Sequence, residues 1–235
     1  MSYAIDIPAG KERKIERTSR SAEFYRGVFG EFIAPGNVES ILDVGAGDAS
    51  FAEEVVPATG QRITRVDRDY ADDPPTGQDW HVADARDLSE FYDTFDVTIS
   101  AFMMQHMSPD EQAVALREMI RTTKVCHAGP DGYAGHVGIC PVYKPDRLRK
   151  QLSEAGFYLS TAVVDNISQE DIILDRKKAS IYSTLWIERD DGMTDDRAAE
   201  LAEVVAGTGA LSRRTTLRDL ARRSLMPDGV SRRKV

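Results

Sequence analysis

"ILDVGAGDAS", residues 41–50, sets three aliphatic side chains, Ile41, Leu42 and Val44, around and ahead of two glycines and two carboxylates. A short apolar run that stops at glycine reads as a buried parallel strand passing through a tight turn into a helix. Glycine at such a turn lets the backbone approach a ligand that a Cβ would exclude. What remains to be decided is which ligand wants glycine and carboxylate so close together.

Working outward, similar apolar runs recur at residues 62–66, 80–83, 95–101 and 136–141, with helical stretches at 21–33, 49–56, 109–122 and 145–155. Strands alternating with helices predict an α/β fold with a parallel sheet covered on both faces. Ser108 and Glu111 frame the third helix as a capping box with Pro109 in its first position, and Gly156 stands where a helix C-cap would. Two more strands are predicted at 157–164 and 180–188, then a helix at 194–204 and a short amphipathic segment at 216–225. The chain divides into an N-terminal helical lid (1–34), an α/β domain (35–190) and a helical C-terminal extension with a basic tail (191–235).

Composition narrows the partners. The chain has 235 residues, enough for one large domain with appendages, and a net charge of −9. That balance speaks against non-specific nucleic-acid binding. From Ser212 onward, however, eight basic residues face only Asp219 and Asp228, leaving 22 basic and 37 acidic residues before them. Such a tail suits an anionic partner, the acidic body itself or a second copy in a homodimer. No run of 18 apolar residues occurs and the first residues lack a secretory apolar stretch, so the expectation is a cytoplasmic protein without membrane attachment. The two cysteines, Cys126 and Cys140, lack metal-ligand spacing and read as small, partly buried side chains.

In an open parallel sheet the ligand sits beyond the carboxyl ends of the strands, so the residues ending each strand carry the functional reading. A dinucleotide fingerprint fails, because the third glycine of G-x-G-x-x-G would fall on Ser50 and Asp48 would repel a pyrophosphate. Asp67, twenty residues beyond Gly47, is placed to accept both hydroxyls of a ribose. Asp84, after the third strand, can accept the exocyclic amine of adenine beside the backbone N–H of Ala85. Together with Asp43, these acids describe a cationic adenosine ligand without phosphates.

At these residues the sequence resembles the class I S-adenosylmethionine-dependent methyltransferases, over roughly residues 21–189. ILDVGAG resembles their glycine-rich first motif, VDRD their ribose turn, VADARDL their adenine loop and FDVTISAFMMQHM their fourth-strand segment. The resemblance implies a Rossmann-like, seven-stranded, mostly parallel sheet of order 3-2-1-4-5-7-6, the last strand antiparallel, with helices on both faces. It implies S-adenosylmethionine as cofactor and S-adenosylhomocysteine as product. Asp43, Gly45, Ala46 and Gly47 would surround the methionine portion, Asp67 and Arg68 the ribose, Asp84 and Ala85 the adenine, with Ser100 and Met103 completing the cofactor site. Two departures stand out: Ala49 replaces a frequent third glycine, and HAGPDGYAG replaces the usual Gly-Gly turn before the fifth strand.

A sulfonium already activates its methyl group, so the protein need only hold the acceptor in line, about 3 to 3.5 Å away, with water excluded. His106, after the fourth strand, matches a family histidine and is read as a general base or as a hydrogen bonder that orients the acceptor, while loop holding or helix capping stays open. Gln105 stands where many members carry another histidine. Tyr25, on the N-terminal helix, matches a tyrosine near the reacting sulfonium. His81, His127 and His136 read as structural. No [N/D]-P-P-[Y/F/W] follows the fourth strand and no aspartate ends it, which turns the reading from base and glutamine methylation and from divalent-metal catechol chemistry. The expectation is metal-independent methyl transfer to nitrogen or oxygen of a small molecule. Methylation of RNA or protein recruited by the tail, and a non-catalytic methyltransferase-like subunit, are the alternatives.

Overall fold

The computed structural model describes residues 38–47, 61–68, 79–125, 135–166 and 182–212, the side chains of 164–166 and 182 excepted. Tyr25, the N-terminal lid, the helices expected at 21–33 and 49–56, Cys126, His127, the segment 216–225 and the basic tail lie outside the described residues.

Seven strands form one sheet: β1 (Ser40–Val44), β2 (Arg62–Asp67), β3 (Asp79–Val82), β4 (Val97–Ala101), β5 (Gly135–Val142), β6 (Thr161–Asn166) and β7 (Tyr182–Arg189). Their order is β3-β2-β1-β4-β5-β7-β6, and β7 alone runs antiparallel to its neighbours. This is the Rossmann-like sheet expected from the motifs. Three helices are described: α1 (Pro109–Thr122), α2 (Pro145–Glu154) and α3 (Asp195–Gly207).

Strand alternation explains how the sheet is covered. Leu42, Val44, Val66, Val137, Ile139, Leu185 and Ile187 join one apolar cluster with Leu116, Met119, Leu148, Leu201 and Val205 of the helices. The intervening Ile41, Val97, Ile99 and Trp186 are equally buried but stand outside that cluster, so both faces of the sheet are withdrawn from water. Gly138 is glycine because the Trp186 ring lies across it; a Cβ there would meet the ring at 2.8 Å. α3 belongs to this core through Ala198, Leu201, Ala202, Val205 and Ala206, so the extension expected from residue 191 begins with a helix packed into the domain.

Local rules set the helix ends. Ser108 Oγ accepts from the Glu111 N–H while Glu111 accepts from the Ser108 N–H, the capping box expected for α1. Gly156, at φ +78°, ends α2. Its N–H donates to Ser153 O and the Phe157 N–H to Leu152 O, a Schellman arrangement. This corrects the strand expected at 157–164. Phe157 is the buried apolar residue that accompanies such a cap, residues 158–160 turn, and β6 starts only at Thr161. Likewise Phe95 makes an isolated bridge with Thr123, and β4 proper starts at Val97.

Polar staples close the end of the sheet opposite the strand carboxyl ends. Asp96 Oδ2 accepts from Glu39 N at 2.9 Å, Ser40 N at 2.8 Å and Ser40 Oγ at 2.9 Å, and Lys124 Nζ meets Oδ1 at 2.7 Å. Burial raises the carboxyl pKa, but the Lys124 contact and the donated N–H and O–H bonds outweigh it and hold the group below its ordinary value. Asp96→Ala strands these donors and is expected to remove about 2 to 4 kcal/mol in urea unfolding at pH 7. Because the folded pKa is depressed, the wild-type advantage is present above the ordinary carboxylate range and shrinks as pH falls through the folded value. A difference that stayed constant down to strongly acid pH would contradict this account.

Candidate functional site

The glycine turn after β1 is tied to the end of β2. The N–H groups of Gly45 and Ala46 both donate to Val66 O, at 2.8 and 3.2 Å, and the Gly47 N–H donates to Asp67 Oδ2 at 2.8 Å. Three successive N–H groups that a pyrophosphate would need are thus taken up inside the protein, a structural reason why a dinucleotide does not fit here. Asp67, expected at the ribose, is brought directly against the turn. Gly45 and Gly47 have φ of +76° and +61°. A Cβ on Gly45 would lie 2.6 Å from Met103 Cβ and Cγ, whereas one on Gly47 would meet nothing within 4 Å among the described residues. The Met103 side chain therefore roofs the first glycine, and no described residue roofs the second.

Asp43 is the most informative group. It is 1% exposed, its Oδ2 has no hydrogen-bond partner among the described residues, and it sits in register with Arg65 on β2. Desolvation raises its pKa to about 7, Arg65 pulls it down, and Asp67 adds a smaller upward push. A buried carboxylate with an oxygen left over is a place prepared for a cation or a hydrogen-bond donor. Ser100, at the end of β4, is also buried, and its Oγ has no hydrogen-bond partner among the described residues.

Asp84, expected at the adenine, is engaged within its own loop. Arg86 wraps it: Nε donates to Oδ1 at 2.9 Å, NH2 to Oδ2 at 2.5 Å and the Arg86 N–H to Oδ1 at 2.9 Å. These bonds, the side-chain ones foremost, pull its pKa down to about 2. Arg86 NH1 also reaches Glu111 Oε1 at 2.7 Å, linking this loop to the cap of α1. Any adenine amine at Asp84 shares the carboxylate with Arg86. Ala85 beside it is buried, and Arg68 follows β2 close enough to act on the charge of Asp84.

Beyond β4 the chain turns sharply. Phe102 has φ +62°, a strained conformation for a bulky aromatic residue, and its N–H donates to Cys140 O at 2.8 Å. The turn leads into a short helical turn, Met104–His106, where His106 is exposed. Gln112 of α1, itself buried, reaches Met104 O at 2.9 Å and Met107 O at 3.3 Å and so brackets that turn. Among the described residues no cluster of histidine, cysteine or carboxylate side chains is arranged to hold a metal ion. Nor is any described helix long and apolar enough to cross a membrane. His81 lies between Asp79 and the Phe91 ring, and His136 beside the Trp186 ring.

Residues 41–125, which span the turn and all three acids, match the family model described as a methyltransferase domain. This segment is similar to methyltransferase domains, and the strand order around it is that of a Rossmann-like sheet. The fold is shared with a magnesium protoporphyrin IX methyltransferase from Synechocystis PCC 6803 solved with bound SAM. The two are 13% identical, with 80% of this chain and 87% of that one covered and a TM-score of 0.50. A 1,6-didemethyltoxoflavin N1-methyltransferase from Burkholderia thailandensis, solved with 1,6-didemethyltoxoflavin and S-adenosylhomocysteine, is 15% identical over 81% of this chain and 94% of that one, with a TM-score of 0.47. A comparison with curated proteins finds no match. Within the matched segment, sequence reasoning passed over Arg65, Arg86, Gln112 and the backbone of Phe102. Only Arg86 had a local signal, standing two residues after an acid in a turn.

Proposed function

We propose that this chain transfers the methyl group of S-adenosylmethionine to nitrogen or oxygen of a small-molecule acceptor, without a metal. The observation that carries the reading is Asp43, a buried carboxylate with an unpartnered oxygen beside a glycine turn that is hooked to Asp67. These residues fit the cofactor's chemistry: Asp43 would take the positive methionine portion, Asp67 the ribose hydroxyls, and Asp84 with Ala85 the adenine. When bound, S-adenosylmethionine supplies a methyl group already activated by its sulfonium charge. The protein's own work is to orient an acceptor and exclude water. Met103 and Met107, packed against the core, give the loop after β4 an apolar lining suited to a small organic acceptor. The β4 terminus, Ser100-Ala101, brings no carboxylate to the site, which supports chemistry without a divalent ion.

The test is calorimetric titration of the full chain with S-adenosylmethionine and S-adenosylhomocysteine, alongside Asp67→Ala. Both ligands are expected to bind the wild type, and the variant to bind about a hundredfold more weakly, the equivalent of losing two hydrogen bonds to a charged group. Equal affinity in the variant, or no binding to folded wild type, removes the nucleoside site from the account.

A further inference from the structure

Of the roles open to His106, its neighbours choose between proton acceptor and orienting hydrogen bonder. Tyr143, the residue after β5, has its backbone fixed by its N–H bond to Ala210 O at 2.7 Å. Its hydroxyl donates to Gln105 Oε1. With the amide oxygen so engaged, Gln105 presents its nitrogen to His106, Nε2 to Nε2 at 3.3 Å. An amide NH2 can only donate, so His106 Nε2 is the acceptor in that contact, and the neutral ring carries its proton on Nδ1. The turn that holds this pair is itself pinned, since Gln112 Nε2 bonds Met104 O and Met107 O on either side of it.

We infer that the Tyr143–Gln105 clamp holds His106 in its Nδ1–H form and thereby makes it a hydrogen-bond donor toward the acceptor molecule rather than the base that takes its proton. The Nε2 lone pair is taken up by Gln105, and Nδ1 has a hydrogen to give. The acceptor then presents a lone pair to His106, as a carbonyl, a carboxylate or a neutral amine nitrogen does, and its methylated atom needs no deprotonation by this histidine. Tyr143 and Gln105 are positioning residues that act through the ring. The role rests on the methyl-transfer reading, but the ring's tautomer does not, so the two fail separately.

The experiment is nitrogen-15 NMR of the full chain labelled at its four histidines, at about pH 9 where an imidazole is neutral, with His106 identified by its loss in His106→Ala. The wild type is expected to show His106 protonated on Nδ1. Gln105→Glu, which can only accept, should reverse the ratio to the Nε2–H form. Tyr143→Phe, which releases the amide to turn over, should lower the Nδ1–H share. A wild-type ring protonated on Nε2 overturns the inference, as does a Gln105→Glu ring unchanged from wild type. A Tyr143→Phe ring identical to wild type removes Tyr143 from the clamp. Titrating the same samples with S-adenosylhomocysteine tests the cofactor site independently: absent binding with the Nδ1–H form present sinks the methyl-transfer reading alone.

Discussion

Asp43→Asn is expected to abolish S-adenosylmethionine binding and, at pH 8, to make the ligand-free protein more stable than wild type. The folded carboxyl titrates at about 7 against an ordinary 3.8. A raised folded pKa means that the native state holds this proton more tightly than the unfolded chain. The resulting stabilisation is full below about pH 4 and is lost as pH rises through 7. At about 1.4 kcal/mol per unit, that is of order 4 kcal/mol withdrawn from the ligand-free protein between mildly acid and neutral pH. Asparagine keeps the shape and cannot ionise, so the variant's stability should lack this component. Urea unfolding of both proteins at pH 4 and pH 8 measures it, with most of the variant's advantage appearing only at the higher pH. Ligand affinity runs the other way. A positively charged ligand stabilises the ionised carboxylate, so wild-type affinity should fall roughly tenfold per unit as pH drops below 7. A variant that bound S-adenosylmethionine as tightly as wild type would sink the assignment of Asp43, whatever its stability. Ionised Asp43 is thus an unfavourable buried charge in the free protein, one that a cationic ligand would relieve.

Much of this was legible because the relevant signals are local. α1 was placed to the residue and β1 was recognised from its sequence, since a Ser-Pro-x-Glu start and an apolar run ending at glycine leave little choice. The acids at the ends of β1 and β2 and in the loop after β3 could be found because sheet topology brings strand ends together whatever the connecting loops do. Phe157 misled because a buried apolar residue after a helix-ending glycine looks the same in sequence as the start of a strand. Tyr143 and Gln105 are 38 positions apart, and Gln112 meets Ser212 across 100. No pattern in either stretch announces the pairing, because it follows from where β5 and α3 end in space. Phe102 shows the same limit in the backbone: nothing in a run without glycine signals a left-handed residue, which only the packing around the β4 terminus imposes.

The two glycines of the turn should respond very differently to alanine, although both lie in the left-handed region. Backbone strain for an L-residue there is about 1 to 2 kcal/mol in either case. At Gly47 no described residue opposes the new methyl, so Gly47→Ala is expected to lose only that amount and to keep the turn closed on Val66. At Gly45 the methyl would stand 2.6 Å from Met103 Cβ and Cγ, atoms next to the backbone that cannot swing aside as a side-chain tip would. Either the turn must lift from Val66 O, or Met103 must withdraw and carry the strained Phe102 and the start of the 104–106 turn with it. Each route adds overpacking of about 1 to 3 kcal/mol to the strain, and each disturbs the face on which Asp43 and Asp67 meet. Gly45→Ala should therefore unfold in urea several kcal/mol more readily than wild type and bind S-adenosylhomocysteine at least tenfold more weakly than Gly47→Ala. Equal losses in the two variants would mean that Met103 does not roof the turn, and the loop after β4 would then have no structural hold on the cofactor site. Unequal losses in the expected order would show that the cofactor turn and the acceptor loop are packed as one piece, so that the site is assembled from both before any ligand arrives.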